Sequence, residues 1–236
     1  MAATKIEEWG EFVLAELTQT FDHADVSYFF PLMAAIERRL GHKPRYCALD
    51  TGFDAHYIYD YFHAAGGLAA IPLAERGDPT RQFDAQGRPL CPAGLPMPLK
   101  GTFTCRTTLF HHQRGRYACP LRFPKPSGEA CPIGDPHFAK GGCLVTMPTS
   151  PGARIRYQLE RDSAEFKTLY NQRTATERIN SQALELGIER PKLRRGSAIA
   201  NQNTLIYVLI NLHALQRVRA RKAALARQAV TAAPPR

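Results

Sequence analysis

Long apolar runs are missing from this sequence. The longest, residues 205–210 (LIYVLI), is far short of the roughly 20 residues that a membrane-spanning helix needs. The opening MAATKIEEWGEF has no basic head followed by an apolar stretch, so no export signal is expected. These two absences exclude a helical membrane protein, and they set the expected location in the cytoplasm. A reducing compartment argues in turn against a disulfide framework for the six cysteines. Short Cys-x-x-Cys knuckles, the usual mark of structural zinc, are also lacking. Acids are scarce at the C-terminal end. Between residues 187 and 236, ten Lys and Arg stand against a single acid, Glu189.

What is present is a chain of 236 residues with 44% hydrophobic and 22% charged side chains, an ordinary globular balance. Its net charge is +10, and the last 50 residues carry nearly all of it. A basic charge confined to one end fits a polyanion such as nucleic acid; a solvated, solubilising tail is the plain alternative.

Three segments differ in composition. Residues 1–74 read as α/β. The apolar run 11–17 (EFVLAEL) is a strand candidate, and 26–40 carries its apolar residues at helical spacing and ends at Gly41. Residues 45–50 (RYCALD) form a buried strand ending in Asp50. A helix follows with Asp54 as its N-cap and Gly66 as its stop, and then a strand over 68–73. Strand, helix and strand at these spacings predict a parallel unit. Residues 75–155 are dense in Pro and Gly and read as a β-rich insert, with strands near 101–109 and 144–147 and a hairpin turn at 84–87. Residues 156–236 are helical. One helix is expected over 162–186, and another over about 198–228 that begins buried on all sides and ends basic.

Two acids stand out. Asp50 lies at the carboxyl end of a parallel strand, where α/β folds gather their chemistry; alternatively it caps the next turn. Glu177 shares one helical stripe with Tyr170 and Arg173, because steps of three and seven residues rotate by about 300° and 700°. Such a stripe could hold a metal carboxylate and steer a phosphate. It could also be a solvated face with an Arg173–Glu177 pair worth a few tenths of a kcal/mol. His56 and His63 share a helix face and read as packed or solvated. Cys91, Cys119, Cys131 and Cys143 either bind zinc through loose Cys-Pro turns or remain free thiols.

Taken together, Asp50-Thr-Gly-Phe-Asp54 and the Tyr170, Arg173, Glu177 spacing resemble the DDE transposases of bacterial insertion sequences. The resemblance covers about residues 12–74 and 156–215. It implies a partial RNase H-like core interrupted by the β-rich insert, with a helical basic C-terminus. It also implies DNA transposition by strand cleavage and transfer. Asp50 and Glu177 would be catalytic metal carboxylates for Mg²⁺ or Mn²⁺, brought within about 10 Å of each other, the range two bridging metals can span. Tyr170, Arg173, Lys192, Arg194 and Arg195 would contact DNA. The implied partners are double-stranded transposon ends and target DNA near the nucleoid, and a homodimer is allowed for.

Two departures accompany the resemblance. Leu184 stands where the family often has a Lys. The family's first Asp has no counterpart, since Asp22 and Asp25 precede a helix. Residues 12–17 would then be the third core strand, and the chain a copy that lacks its N-terminal part and is inert alone. The alternative function is a non-catalytic nucleic-acid-binding protein using the basic C-terminus and a zinc-bearing insert.

Overall fold

The computed structural model describes residues 1–6, 8–20, 22–74, 81–106 and 110–231. The chain is mixed α/β, with three small sheets and six α-helices among the described residues. It divides into two units: Met1–Pro44 with Ala164–Arg236, and Arg45–Ser163. This division does not follow the three composition segments, because the parallel unit and the Pro/Gly-rich stretch fall together.

In the first unit, β1 (Ala2–Ile6) pairs antiparallel with β2 (Gly10–Ala15). Strand β2 falls on the strand candidate at 11–17, and β1 precedes it as a strand that the sequence reading did not pick out. Polar Thr4 and Lys5 hide that strand in the sequence. Helix α1 (Phe29–Leu40) buries Phe29, Met33 and Ile36, one face of a 3.6-residue period, and stops at left-handed Gly41, whose N–H donates to Glu37 O. The helix expected over 162–186 is two helices, α4 (Ala164–Tyr170) and α5 (Thr174–Glu185), joined by a 3₁₀ turn at Asn171–Arg173. Thr174 Oγ1 donates to Asn171 O at 2.8 Å, a side-chain bond to the backbone that favours the tighter turn.

Helix α6 (Gly196–Thr231) follows. Its apolar start is not buried all round: Ile206, Ile210 and Ala214 are covered, but Leu205 is 68% exposed. Val13, Ile179, Ala183, Ile206 and Ile210 form the core here. Asn211 of α6 bonds β2 in both directions. Val13 N donates to Asn211 Oδ1 at 2.8 Å, and Asn211 Nδ2 donates to Val13 O at 3.0 Å.

In the second unit, β3 (Tyr46–Ala48) and β4 (Leu68–Ala70) pair in parallel around α2 (His56–Ala64), as strand–helix–strand spacing predicts. Strand β3 is shorter than expected and not fully buried, with Tyr46 58% exposed. Helix α3 (Pro151–Gln158) packs on α2. Gly152 permits this approach: a side chain there would run into the His56 carbonyl, and its N–H donates to Asp60 Oδ1 at 2.7 Å. An antiparallel sheet runs β5 (Leu99–Cys105), β6 (His112–Ala118), β7 (Leu144–Pro148) in that order. The turn at 84–87 forms, with Gly87 N donating to Asp84 O at 2.9 Å. Residues 107–109 of the strand expected at 101–109 lie outside the described residues, as do 75–80 of the insert.

Candidate active site and nucleic-acid surface

Strand β3 ends at Ala48, and Leu49 N still donates to Ala70 O at 3.0 Å, so pairing with β4 runs up to the residue before Asp50. Asp50 is exposed at this carboxyl end. Its Oδ1 accepts from Gly52 N at 2.9 Å and caps a 3₁₀ turn at Thr51–Phe53. One carboxylate oxygen is thus engaged locally.

Four residues on, Asp54 behaves differently. It is not the N-cap of α2, a place taken by Ala55. Its carboxylate is buried. Oδ1 accepts from the Tyr59 hydroxyl at 2.9 Å, and Oδ2 accepts from Ala74 N at 2.8 Å. Oδ2 also accepts from Arg156 Nε at 2.9 Å and Nη2 at 2.7 Å. Arg161 extends the network, donating to Ile71 O at 2.9 Å and to the Tyr59 hydroxyl at 3.1 Å. Burial, reinforced by the Asp54 charge, pushes the Tyr59 phenol pKa up. The network ties the loop that begins at Asp50 to the segment after β4 and to α3. Sequence reasoning missed it because no local spacing signals it: Asp54 and Arg156 are 102 residues apart.

His56, at the start of α2, lies with its ring centroid 4.5 Å from that of His112. Burial, with the His112 and Arg114 charges adding to it, lowers its pKa to about 4. It is a packed neutral imidazole, in line with the reading of the sequence.

In the first unit, the side chains of Tyr170, Arg173 and Glu177 come together. The Arg173 guanidinium carbon lies 5.8 Å from the Tyr170 ring centroid, and Arg173 Nη2 is 2.6 Å from Glu177 Oε1. Phe166 stacks on Tyr170 at 5.7 Å. The pair Arg173–Glu177 is exposed. The next residue, Arg178, is bonded to Glu11 of β2 and anchors α5 there. Asp50 belongs to one unit and Glu177 to the other. Among the described residues, no group of three or more His, Cys, Asp or Glu side chains is set to hold a metal ion.

Lys192, Arg194 and Arg195 are exposed in the connection between α5 and α6. Further along α6, Arg221 and Lys222 sit over Trp9 at 5.7 and 5.5 Å from its ring, and Arg221 reaches Glu8 Oε2 at 3.3 Å. The basic helix is therefore partly docked on the β1–β2 turn, whereas the 192–195 cluster faces solvent. Among the described residues no helix is long and apolar enough to cross a membrane. No known family model matches this chain, and neither do the curated proteins or the solved structures compared with it.

Proposed function

We propose that this chain is a DDE-type transposase subunit or a copy of one, acting on DNA phosphodiesters through divalent metal. The observation that carries the reading is the exposed Asp50 carboxylate at the carboxyl end of β3, in a parallel β-α-β unit. In chain order, a strand, a helix and then this unit follow one another as the resemblance expects, with β1–β2 and β3–β4 as separate sheets. The linked Tyr170, Arg173 and Glu177 side chains supply the second carboxylate, already beside a guanidinium that can face a phosphate.

In this reading, Asp50 and Glu177 each serve as a carboxylate ligand for Mg²⁺ or Mn²⁺, and Lys192, Arg194 and Arg195 grip the DNA backbone. Two carboxylates hold a metal pair weakly, since each Mg²⁺ would have about one protein ligand. The chain by itself is therefore inert toward DNA strands. Self-association belongs to the same reading: exposed Leu205, Val208, Leu212 and Leu215 recur along α6 at heptad spacing.

The test does not depend on turnover. Fe²⁺ with ascorbate and peroxide is added to the DNA-bound protein, and the sites of backbone cutting are mapped. Cuts near both Asp50 and Glu177, suppressed by excess Mg²⁺ and lost in Asp50→Asn and Glu177→Gln, are expected. Cuts that ignore these two residues would remove the transposase reading.

A second reading is favoured by the local partners of both acids. Asp50 caps its own turn, and Glu177 is paired with Arg173. Under it the protein binds nucleic acid through its basic C-terminal end and carries no metal chemistry at these acids. DNA binding unaffected by Mg²⁺ and by both substitutions distinguishes it.

A further inference from the structure

We propose that Cys91, Cys119, Cys131 and Cys143 form a structural zinc site at one end of the β5-β6-β7 sheet. None of the six cysteines is in a disulfide. Sheet register brings the first pair together. Arg114 pairs with Pro148 and Ala118 with Leu144, so the next positions outward in this antiparallel ladder are Cys119 and Cys143. Gly142 makes the approach possible. It has φ +79°, and the point a Cβ would occupy there is 2.8 Å from Cys119 Sγ.

The third cysteine arrives from the other side of β6. Leu99 pairs with Tyr117, and Ala118 N donates to Pro98 O at 3.0 Å, which puts the segment preceding β5 beside the Cys119 end of β6. That segment is a tight loop. Cys91 N donates to Leu95 O, Met97 N donates to Pro89 O, and both Cys91 and Met97 are buried. Cys91 and Asp135 are near enough to Cys143 to act on it electrostatically, and Cys119 is hydrogen-bonded to it.

The fourth ligand belongs to the connection between β6 and β7, which starts at Cys119 and ends at Cys143. That connection has no α-helix or β-strand, only a 3₁₀ turn at Phe138–Lys140, and residues 124–130 are all exposed. It buries too little to fix itself. Cys131 repeats the local design of Cys91. Cys91-Pro-Ala-Gly94 and Cys131-Pro-Ile-Gly134 each close a turn in which the Gly N–H donates to the Cys carbonyl, at 2.8 and 3.1 Å, with the Gly left-handed. Two identical turns, each starting with a cysteine, stand in for the missing Cys-x-x-Cys knuckles. These side chains do not yet share one coordination centre. A tetrathiolate site closes to Zn–S distances of about 2.3 Å only as the metal displaces the protons.

The experiment uses the full chain, purified under reducing conditions without chelator. Native mass spectrometry is expected to find one zinc per chain. Cobalt exchanged for it should give thiolate charge-transfer absorption and intense tetrahedral d–d bands. Each of Cys91→Ser, Cys119→Ser, Cys131→Ser and Cys143→Ser should lose the four-thiolate spectrum, whereas Cys47→Ser and Cys105→Ser keep it. Since a ligand variant can fail to fold, the wild-type chain is also alkylated with and without EDTA. Chelation should expose the same four thiols, and only those, to the reagent. A metal-free chain that gives no cobalt spectrum overturns the proposal. So does a Cys131→Ser variant with an unchanged spectrum, or a Cys119–Cys143 disulfide in the reduced preparation.

Discussion

Arg156 closes over the Asp54 carboxylate from 102 residues away, with Nε at 2.9 Å and Nη2 at 2.7 Å from the same oxygen. Asp54 is buried, and only 14% of the Arg156 side chain is exposed. Two charges withdrawn from water in this way tolerate each other's presence but not each other's removal. Asp54→Ala and Arg156→Leu should each destabilise the Arg45–Ser163 unit by about 3–5 kcal/mol in urea unfolding. The double variant should lose less than the sum. Strict additivity would mean that the pair is not coupled.

His56 makes the stability of the same unit depend on pH. Its folded pKa, about 4, lies below the ordinary 6.5, so between these values the unfolded chain binds more protons. The neutral ring's contribution is complete above pH 6.5 and is lost as pH falls through 4. Solvent reaches part of the ring and screens its neighbours, so the expected loss is well below the ~3 kcal/mol that the whole shift would give. His56→Phe should flatten the stability profile across this window, measured as denaturation midpoints at successive pH values.

Asn211 substitutes for a strand at Val13, satisfying its N–H and its C=O. Asn211→Leu keeps the size and removes both partners. A cost of about 1–3 kcal/mol follows from leaving these backbone groups unmet. Amide exchange at Val13 should accelerate in the variant, and an unchanged rate would show that water serves the strand equally well.

Lys192, Arg194 and Arg195 are exposed together between α5 and α6. If they neutralise DNA phosphates, replacing all three by Gln should flatten the slope of log K against log salt by up to about three units. Discrimination between DNA sequences should not change, because phosphate contacts read no bases. A slope equal to that of the parent chain would make this cluster a solvated linker.

Local spacing was enough for much of this protein. Gly41 as a helix stop, the turn at 84–87, the strand–helix–strand unit around α2 and the shared stripe of Tyr170, Arg173 and Glu177 each depend on residues within a few positions of one another. Periods of 2 and 3.6 residues carry such information directly. Tertiary structure decided the rest. β1 and β6 carry polar and charged residues that hide their pairing, and only their neighbours make them strands. The apolar start of α6 was legible as a helix, but which side it buries depends on where β2 lies. Asp50 and Asp54 look interchangeable in sequence. Asp54 was drawn inside because Arg156, Tyr59 and Ala74 supply the hydrogen bonds that a buried carboxylate requires, and Asp50 stayed in water with one backbone N–H. Partners separated by a hundred residues leave no periodic trace, so chain folding alone determines which acid is buried and which is left exposed at the strand end.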